Sequence, residues 1–305
     1  MSGVKHTIVN PKEEQLLRFP KLHDWQDSSL ALQQAVSLVG QIQKALLSPR
    51  ENFLHLSLHV QPDGVESQTL PFGGRIRVNF RSRELAFVRS NGSALQLPLA
   101  EHTQGSLFSA LLDALREDEL AEFFQDEPAG SLAEALVAKL QANGSAGASL
   151  TLETVTQGQP LFVNPQTGSD FADVLYGMFT AIARFRARLE GHLTPAILWP
   201  HHLDLSTLWF PPSNPGMDDH RAHLSFGFAP FTPGQYPEPY LYAYAYPYPE
   251  PFDSPQLPEP AFWHDEGWRG VVVKYEDLLQ QSDPLGFIED ILLQLFNVFS
   301  PLLDR

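Results

Sequence analysis

Residue types that could do chemistry are concentrated between residues 195 and 275, in the last third of the chain. His202 and Asp204 are separated by one residue, so on a β-strand both side chains would lie on the same face. An imidazole beside a carboxylate could orient a polar ligand, transfer a proton or bind a metal ion. The other candidate ligand-binding residues of this segment are His223, Tyr242, Tyr244, His264, Glu266 and Lys274.

A run of alternating tyrosines lies in the same segment. Six of the eight tyrosines of the chain lie between Tyr236 and Tyr248. Alternation predicts a β-strand with Tyr240, Tyr242, Tyr244 and Tyr246 on one face and Leu241, Ala243 and Ala245 on the other. The small aliphatic face would let a helix pack closely. The tyrosine face could be a ligand wall, a partner surface or a core layer.

A metal site is an alternative use of these side chains. Its candidate ligands are His202, Asp204 and His264, a set that zinc, iron or manganese would accept. The chain contains no cysteine and no His-Glu-x-x-His motif, so no cofactor is predicted. It also lacks the Gly-x-Ser-x-Gly motif and the glycine patterns that bind nucleotide phosphates, which leaves serine hydrolysis and phosphate binding unsupported.

Composition narrows the function further. The 305-residue chain has 20 basic and 36 acidic residues, a net charge of −16, and no run of Lys or Arg. This acidity argues against a nucleic-acid partner, which would need a basic patch. No stretch approaches the ~18 apolar residues that a membrane span requires, and Met1–Pro11 has no signal-peptide core. We therefore expect a cytoplasmic protein without a membrane contact.

The order of predicted elements in the first half is helix, four strands, helix. Helical spacing of apolar residues predicts the helices, and alternation together with the Asn91-Gly92 turn predicts the strands. The predicted helices cover 27–47 and 105–124, and the predicted strands cover 53–60, 75–80, 84–89 and 94–99. In the second half we predict helices over 170–190 and 284–303, one or two strands within 196–210, and strands over 223–229, 240–246 and 270–275.

The similarity of the two halves predicts an internal duplication. Leu47-Ser-Pro and Leu193-Thr-Pro stand at corresponding places, and His55 can be aligned with His202. A linker of small residues over 143–149 separates the halves. The predicted fold is α+β, with two pseudo-repeats at 19–142 and 150–305 packed as one globular unit. Each repeat is an antiparallel four-stranded meander flanked by helices packed on one face.

Short motifs along the whole span resemble an uncharacterised bacterial family, the domain-of-unknown-function family numbered 5996. The motifs are Phe19-Pro-x-Leu, Trp25-x-Asp-Ser, Val39-Gly-x-Ile, Leu203-Asp-Leu, Tyr244-Ala-Tyr-Pro, Tyr275-Glu and Asp283-Pro. The resemblance implies a soluble bacterial protein, and no activity comes with it.

Three hypotheses of function follow from these residues. The first is a small-molecule-binding protein or enzyme whose pocket is lined by His202, Asp204, Tyr242, Tyr244 and His264. The second is a protein-interaction module that uses the tyrosine- and proline-rich segment 236–260 as its surface. The third is a metal-dependent hydrolase or oxygenase. The sequence leaves the oligomeric state and the identity of the ligand open.

Overall fold

Two antiparallel sheets, one in each half of the chain, form the frame of the protein in the computed structural model. The structure describes residues 17–115, 158–212, 220–232, 236–248 and 255–303. The predicted linker 143–149 lies outside these residues. Helices and antiparallel sheets together make an α+β protein, as the sequence predicts.

The helices form where apolar residues recur at helical spacing. The described helices are α1 (Trp25–Leu46), α2 (Gln104–Leu115), α3 (Pro165–Arg186), the short α4 (Tyr275–Leu279) and α5 (Pro284–Leu303). Helix α3 begins earlier than the predicted residue 170 because Asn164 caps it, accepting the backbone N–H groups of Gln166 and Thr167. Pro165 at the first position supports the same start.

The first sheet is a five-stranded meander in the order β1-β2-β3-β4-β5. Its strands are β1 (His59–Gln61), β2 (Gly64–Glu66), β3 (Arg75–Asn79), β4 (Glu84–Val88) and β5 (Ala94–Pro98). The expectation of four strands was therefore not met. The sequence interpretation missed the short hairpin of β1 and β2, and it took the residues before β1 as part of a long strand.

The first half of the segment 53–60, predicted as one strand, belongs to a 3-10 helix over Glu51–Leu56. Asn52 and Phe53 adopt left-handed backbone conformations with φ of 52°, which an extended strand does not allow. The Gln43 side chain of α1 donates a hydrogen bond to the carbonyl of Leu56 at 2.9 Å. A long-range contact thus satisfies a backbone group that a sheet partner would otherwise bind.

The second sheet carries the candidate residues. Its strands are β6 (His192–Leu193), β7 (Ile197–Trp199), β8 (Asp204–Phe210), β9 (His223–Ala229), β10 (Tyr240–Tyr246), β11 (Phe262–His264) and β12 (Gly270–Lys274). Their order is β11-β12-β10-β9-β8-β6, and β7 also pairs with β8. Strands β9 and β10 have the predicted bounds, while the number of strands exceeds the predicted four. The tyrosine strand is central, with Gly227 of β9 and Val272 of β12 opposite Tyr242.

One continuous cluster of buried apolar residues includes side chains from both halves. Helix α3 contacts β1 and β2 of the first sheet as well as β8 and β9 of the second. The edges of the two sheets also meet, because Leu58 and Leu198 exchange backbone hydrogen bonds of 2.9 and 3.1 Å. The helices and the sheet edges therefore pack the two halves against each other.

Helix α5 is, within the described part of the chain, the one helix long and apolar enough to cross a membrane by length and composition. Its side chains Ile288, Ile291, Leu292, Leu295 and Phe299 are buried in the protein. It packs against α3, β9 and β10. These contacts bury one face of the helix against the rest of the protein.

Candidate functional site

The two faces of β10 have the different surroundings that alternation predicts. Leu241, Ala243 and Ala245 belong to the main core beneath α5, whereas Tyr240, Tyr242 and Tyr244 form a smaller aromatic cluster on the opposite face. A cavity of about 350 Å³ opens on this opposite face. We call it the tyrosine cleft, and its walls consist of His202, Asp204, Ala229, Thr232, Tyr240, Tyr242, Tyr244, Trp268 and Arg269.

The polar centre of the tyrosine cleft is a contact between β10 and β8. The hydroxyl group of Tyr242 donates a hydrogen bond to Oδ2 of Asp204 at 2.8 Å. Strand β9 lies between the two strands, and its Gly227 stands opposite both Tyr242 and Ser206. A side chain at Gly227 would lie within 2.5 Å of the Tyr242 hydroxyl, so the absence of a Cβ lets the phenol reach across β9.

Burial dominates the electrostatics of this pair. It raises the pKa of Asp204, and the Tyr242 hydrogen bond and the nearby His202 lower that pKa in part. Burial and the neighbouring carboxyl of Asp204 raise the pKa of Tyr242 well above its ordinary value. The site therefore favours a protonated phenol and makes the charged form of the carboxyl costly. A carboxyl group of raised pKa in a cleft is a frequent feature of functional sites.

The other rings of the tyrosine cleft are held by one another. The hydroxyl groups of Tyr240 and Thr232 share a hydrogen bond of 2.7 Å, and burial raises the pKa of Tyr240 to about 12. The Tyr240 ring stacks on Trp268 with centroids 6.1 Å apart. Tyr244 stacks on Tyr242 at 6.0 Å. These contacts give the cleft an aromatic lining whose side chains restrict each other's rotation.

His202 and Asp204 do line the tyrosine cleft together, but for a reason other than the predicted one. Strand β8 begins at Asp204, so His202 lies in the preceding turn. Leu203 between them has a φ of 56°, in the left-handed region, which breaks the assumed strand geometry. Pairing of Trp199 with Asp204 places the carboxyl at the start of the strand, next to the cleft.

Four predicted residues lie outside the cleft walls. His223 is buried on the tyrosine face, where its Nδ1 donates to the carbonyl of Arg221 at 2.8 Å. His264 packs on Trp268 with ring centroids 4.7 Å apart and donates from Nε2 to the carbonyl of Glu266. The Glu266 and Lys274 side chains are exposed. His264 thus contacts a wall residue without lining the cleft. Of the eight predicted residues, four line the cleft: His202, Asp204, Tyr242 and Tyr244.

The metal hypothesis gains no support from the arrangement. Within residues 17–115, 158–212, 220–232, 236–248 and 255–303, no three His, Asp or Glu side chains form a group that could hold a metal ion. Of the candidate ligands, His202 and Asp204 both line the cleft, whereas His264 does not line it and packs on Trp268. The prediction that no cofactor is needed stays a prediction.

Sequence reasoning missed Ala229, Thr232 and Arg269 as cleft residues. Ala229 is the last residue of β9, Thr232 follows that strand and Arg269 precedes β12, and only the strand order brings them near Tyr240. Trp268 had a signal, since it closes the segment Trp263-His-Asp-Glu-Gly-Trp, which is dense in polar and aromatic residues. Tyr240 belonged to the predicted tyrosine face and could have been included on that ground.

No curated protein and no solved structure matches the chain. The sequence model of one family, described as a family of unknown function (DUF5996), matches residues 19–137 and 163–300. These segments cover more than half of the chain and include all of the motifs that carry the resemblance. The chain therefore belongs to the family of unknown function DUF5996.

Proposed function

We propose that the protein binds a small organic molecule in the tyrosine cleft. The observation that carries the proposal is a concave aromatic site with a carboxyl group, Asp204, in its wall. Small-molecule sites are concave, mostly apolar and supplied with a few polar groups, with volumes of about 300–1,000 Å³. The cleft, at about 350 Å³, suits a compact ligand.

Burial of the tyrosines favours a ligand pocket over a protein-interaction surface. Tyr240 is 4% exposed and Tyr242 is 8% exposed, whereas only Tyr246, beyond the cleft, is exposed to 44%. A surface for a protein partner would present several of these rings to solvent at once. The rings instead converge on a cavity, which supports the small-molecule hypothesis.

A catalytic use of the same cleft is the second candidate. Asp204 has a raised pKa and lies 2.8 Å from the Tyr242 hydroxyl, so the pair could donate and accept a proton at one ligand atom. Proton transfer of this kind requires the ligand to reach the carboxyl. Binding in the cleft is thus common to both candidates and is the step to test first.

We also propose that the two halves arose by duplication and that the second half alone acquired the site. Each half has a long helix, an antiparallel sheet and a closing helix, and the family match has two parts. Strand β4, the proposed counterpart of β10, contains no tyrosine.

We further propose a cytoplasmic location, which the net charge of −16 and the core packing of α5 support.

The test of binding is a crystallographic soak of the full chain with a fragment library of small amines, carboxylic acids, alcohols and phenols. We expect fragments between the rings of Tyr240, Tyr244 and Trp268. Ala229→Leu would fill part of the cleft and should abolish this binding, while Tyr246→Phe, on the same strand but outside the cleft, should preserve it. An empty cleft, or equal occupancy in a folded Ala229→Leu variant, would contradict the proposal.

A further inference from the structure

The walls of the tyrosine cleft combine aromatic faces with one partly buried carboxyl group, that of Asp204. We propose that the ligand carries an alkylated ammonium group, which lies against the rings of the cleft and takes Asp204 as its counter-charge. The inference rests on the proposed function and adds the chemical class of the ligand. The rings concerned are Tyr240, Tyr242, Tyr244 and Trp268.

The aromatic lining is the first argument. Neighbouring rings of the cleft lie 6.0 to 6.3 Å apart, and Trp268 is parallel to Tyr240 but nearly perpendicular to Tyr242. Rings in several orientations around one volume can direct π-faces at a single cation. Each such face attracts an ammonium group, and aromatic cages of this kind recognise quaternary ammonium ligands.

The hydroxyl groups of two of these rings already have partners within the protein. Tyr242 donates to Asp204, and the Tyr240 hydroxyl is hydrogen-bonded to Thr232. Their π-faces are therefore the main surface that they offer to a ligand. This arrangement suits an alkylated ammonium group, which presents methyl or methylene carbons rather than several N–H donors.

The carboxyl of Asp204 is the second argument. Its burial disfavours the charged form when the cleft holds no cation. A bound ammonium group would remove that cost, since opposite charges attract strongly where water is excluded. The charged and titratable groups around the carboxyl are Tyr242 and Tyr240 from β10, His202 from the turn before β8, and Arg269 in the cleft wall.

Two further features agree with a cationic ligand. The guanidinium group of Arg269 lies 5.1 Å from the centre of the Tyr248 ring, so an aromatic face beside the cleft already accepts a cation. The net charge of −16 also raises the local concentration of cations over that of anions. Arg269 and His202 reduce the attraction, and the rings and Asp204 outnumber them around the cavity.

Three probes of nearly equal shape test the inference on the full chain. They are choline, its neutral isostere neohexanol, in which carbon replaces the nitrogen, and the carboxylate of tert-butylacetic acid. Binding is measured by calorimetry or ligand-observed NMR at neutral pH. We expect choline to bind about tenfold more tightly than neohexanol, and the carboxylate to bind most weakly.

Substitutions test whether the preference for choline over neohexanol depends on the cleft. Asp204→Asn should reduce the preference for choline over neohexanol to about threefold or less, because the ring faces remain and the counter-charge is lost. Tyr246→Phe should leave the preference unchanged.

The outcomes separate this inference from the proposed function. Equal binding of choline and neohexanol, preference for the carboxylate, or an undiminished preference in Asp204→Asn would overturn the ammonium inference. In any of these cases, if the probes bound the wild type and this binding were lost in Ala229→Leu, the cleft would still be a ligand site. If none of the three probes bound, the ammonium inference would fail, and the fragment soak would decide whether the proposed function fails with it.

Discussion

The hydroxyl group of Tyr242 lies 2.8 Å from Oδ2 of Asp204, although the two residues are on strands that do not pair with each other. The phenol spans the intervening strand β9 above Gly227. The contact joins β8 and β10 on the tyrosine face and places a carboxyl group within an aromatic wall. The stability of the sheet and the chemistry of the tyrosine cleft therefore depend on the same three residues, Asp204, Gly227 and Tyr242.

Gly227→Ala should destabilise the protein and displace Tyr242. The new methyl group would meet the Tyr242 hydroxyl and the backbone carbonyl of Leu205, each at 2.5 Å, and the backbone cannot move aside cheaply. We expect a loss of about 1–3 kcal/mol in the free energy of unfolding, typical of overpacking. Urea unfolding measures it, and Gly158→Ala, whose methyl group would only touch Thr103 at 3.8 Å, is the control. Equal effects of the two substitutions would contradict the prediction.

Tyr242→Phe should retain the aromatic wall and remove the hydrogen bond to Asp204. We expect a loss of about 1 kcal/mol in the free energy of unfolding, because the buried carboxyl then lacks its donor. The pKa of Asp204 should rise further, since the hydrogen bond lowers it. Unfolding curves and an NMR titration of the Asp204 carboxyl carbon provide the measurements. Tyr246→Phe, at an exposed ring of the same face, should change neither quantity.

Asp204→Asn should change how stability depends on pH. The raised pKa means that the folded protein holds the Asp204 proton more tightly than the unfolded chain, whose ordinary value is 3.8. The resulting stability is fully present below pH 3.8 and is lost as the pH rises through the raised pKa. The stability of the wild type relative to Asp204→Asn should fall over that interval and be constant above it. Urea unfolding at a series of pH values measures this difference. If the stabilities of the wild type and Asp204→Asn changed in parallel with pH, the raised pKa of Asp204 would be refuted.

Glu289→Gln should weaken the contact between α5 and the end of α3. The Glu289 carboxylate, 9% exposed as a residue, lies 3.0 Å from Arg184 and 2.9 Å from Arg188. We expect a loss of about 1 kcal/mol that salt reduces in part, because both arginines are more than half exposed. The control is Asp290→Asn, a neighbouring carboxylate that is 70% exposed and 3.8 Å from Arg188, and it should have little effect. Comparable losses for both would show that burial of Glu289 is not the cause.

Alternation and helical spacing in the sequence predict strands and helices that are determined by residues close together in the chain. The alternation in β9 and β10 and the helical spacing in α1 and α5 correspond to faces that are buried in the structure. The same reasoning failed at Asn52, where an alternating pattern is bent by left-handed residues and held by Gln43 of α1. It failed again at Leu203, whose backbone ends the assumed alternation between His202 and Asp204.

The alternating tyrosines alone therefore determine that one face of β10 is aromatic and the other aliphatic, and the short motifs determine the family. The tertiary structure decides that the aromatic face borders an open cleft with Asp204, Thr232 and Arg269 in its wall. The physical reason is that side-chain alternation depends on neighbours in the chain. Strand order, register across Gly227 and the burial that raises the Asp204 pKa depend on residues far apart in the sequence.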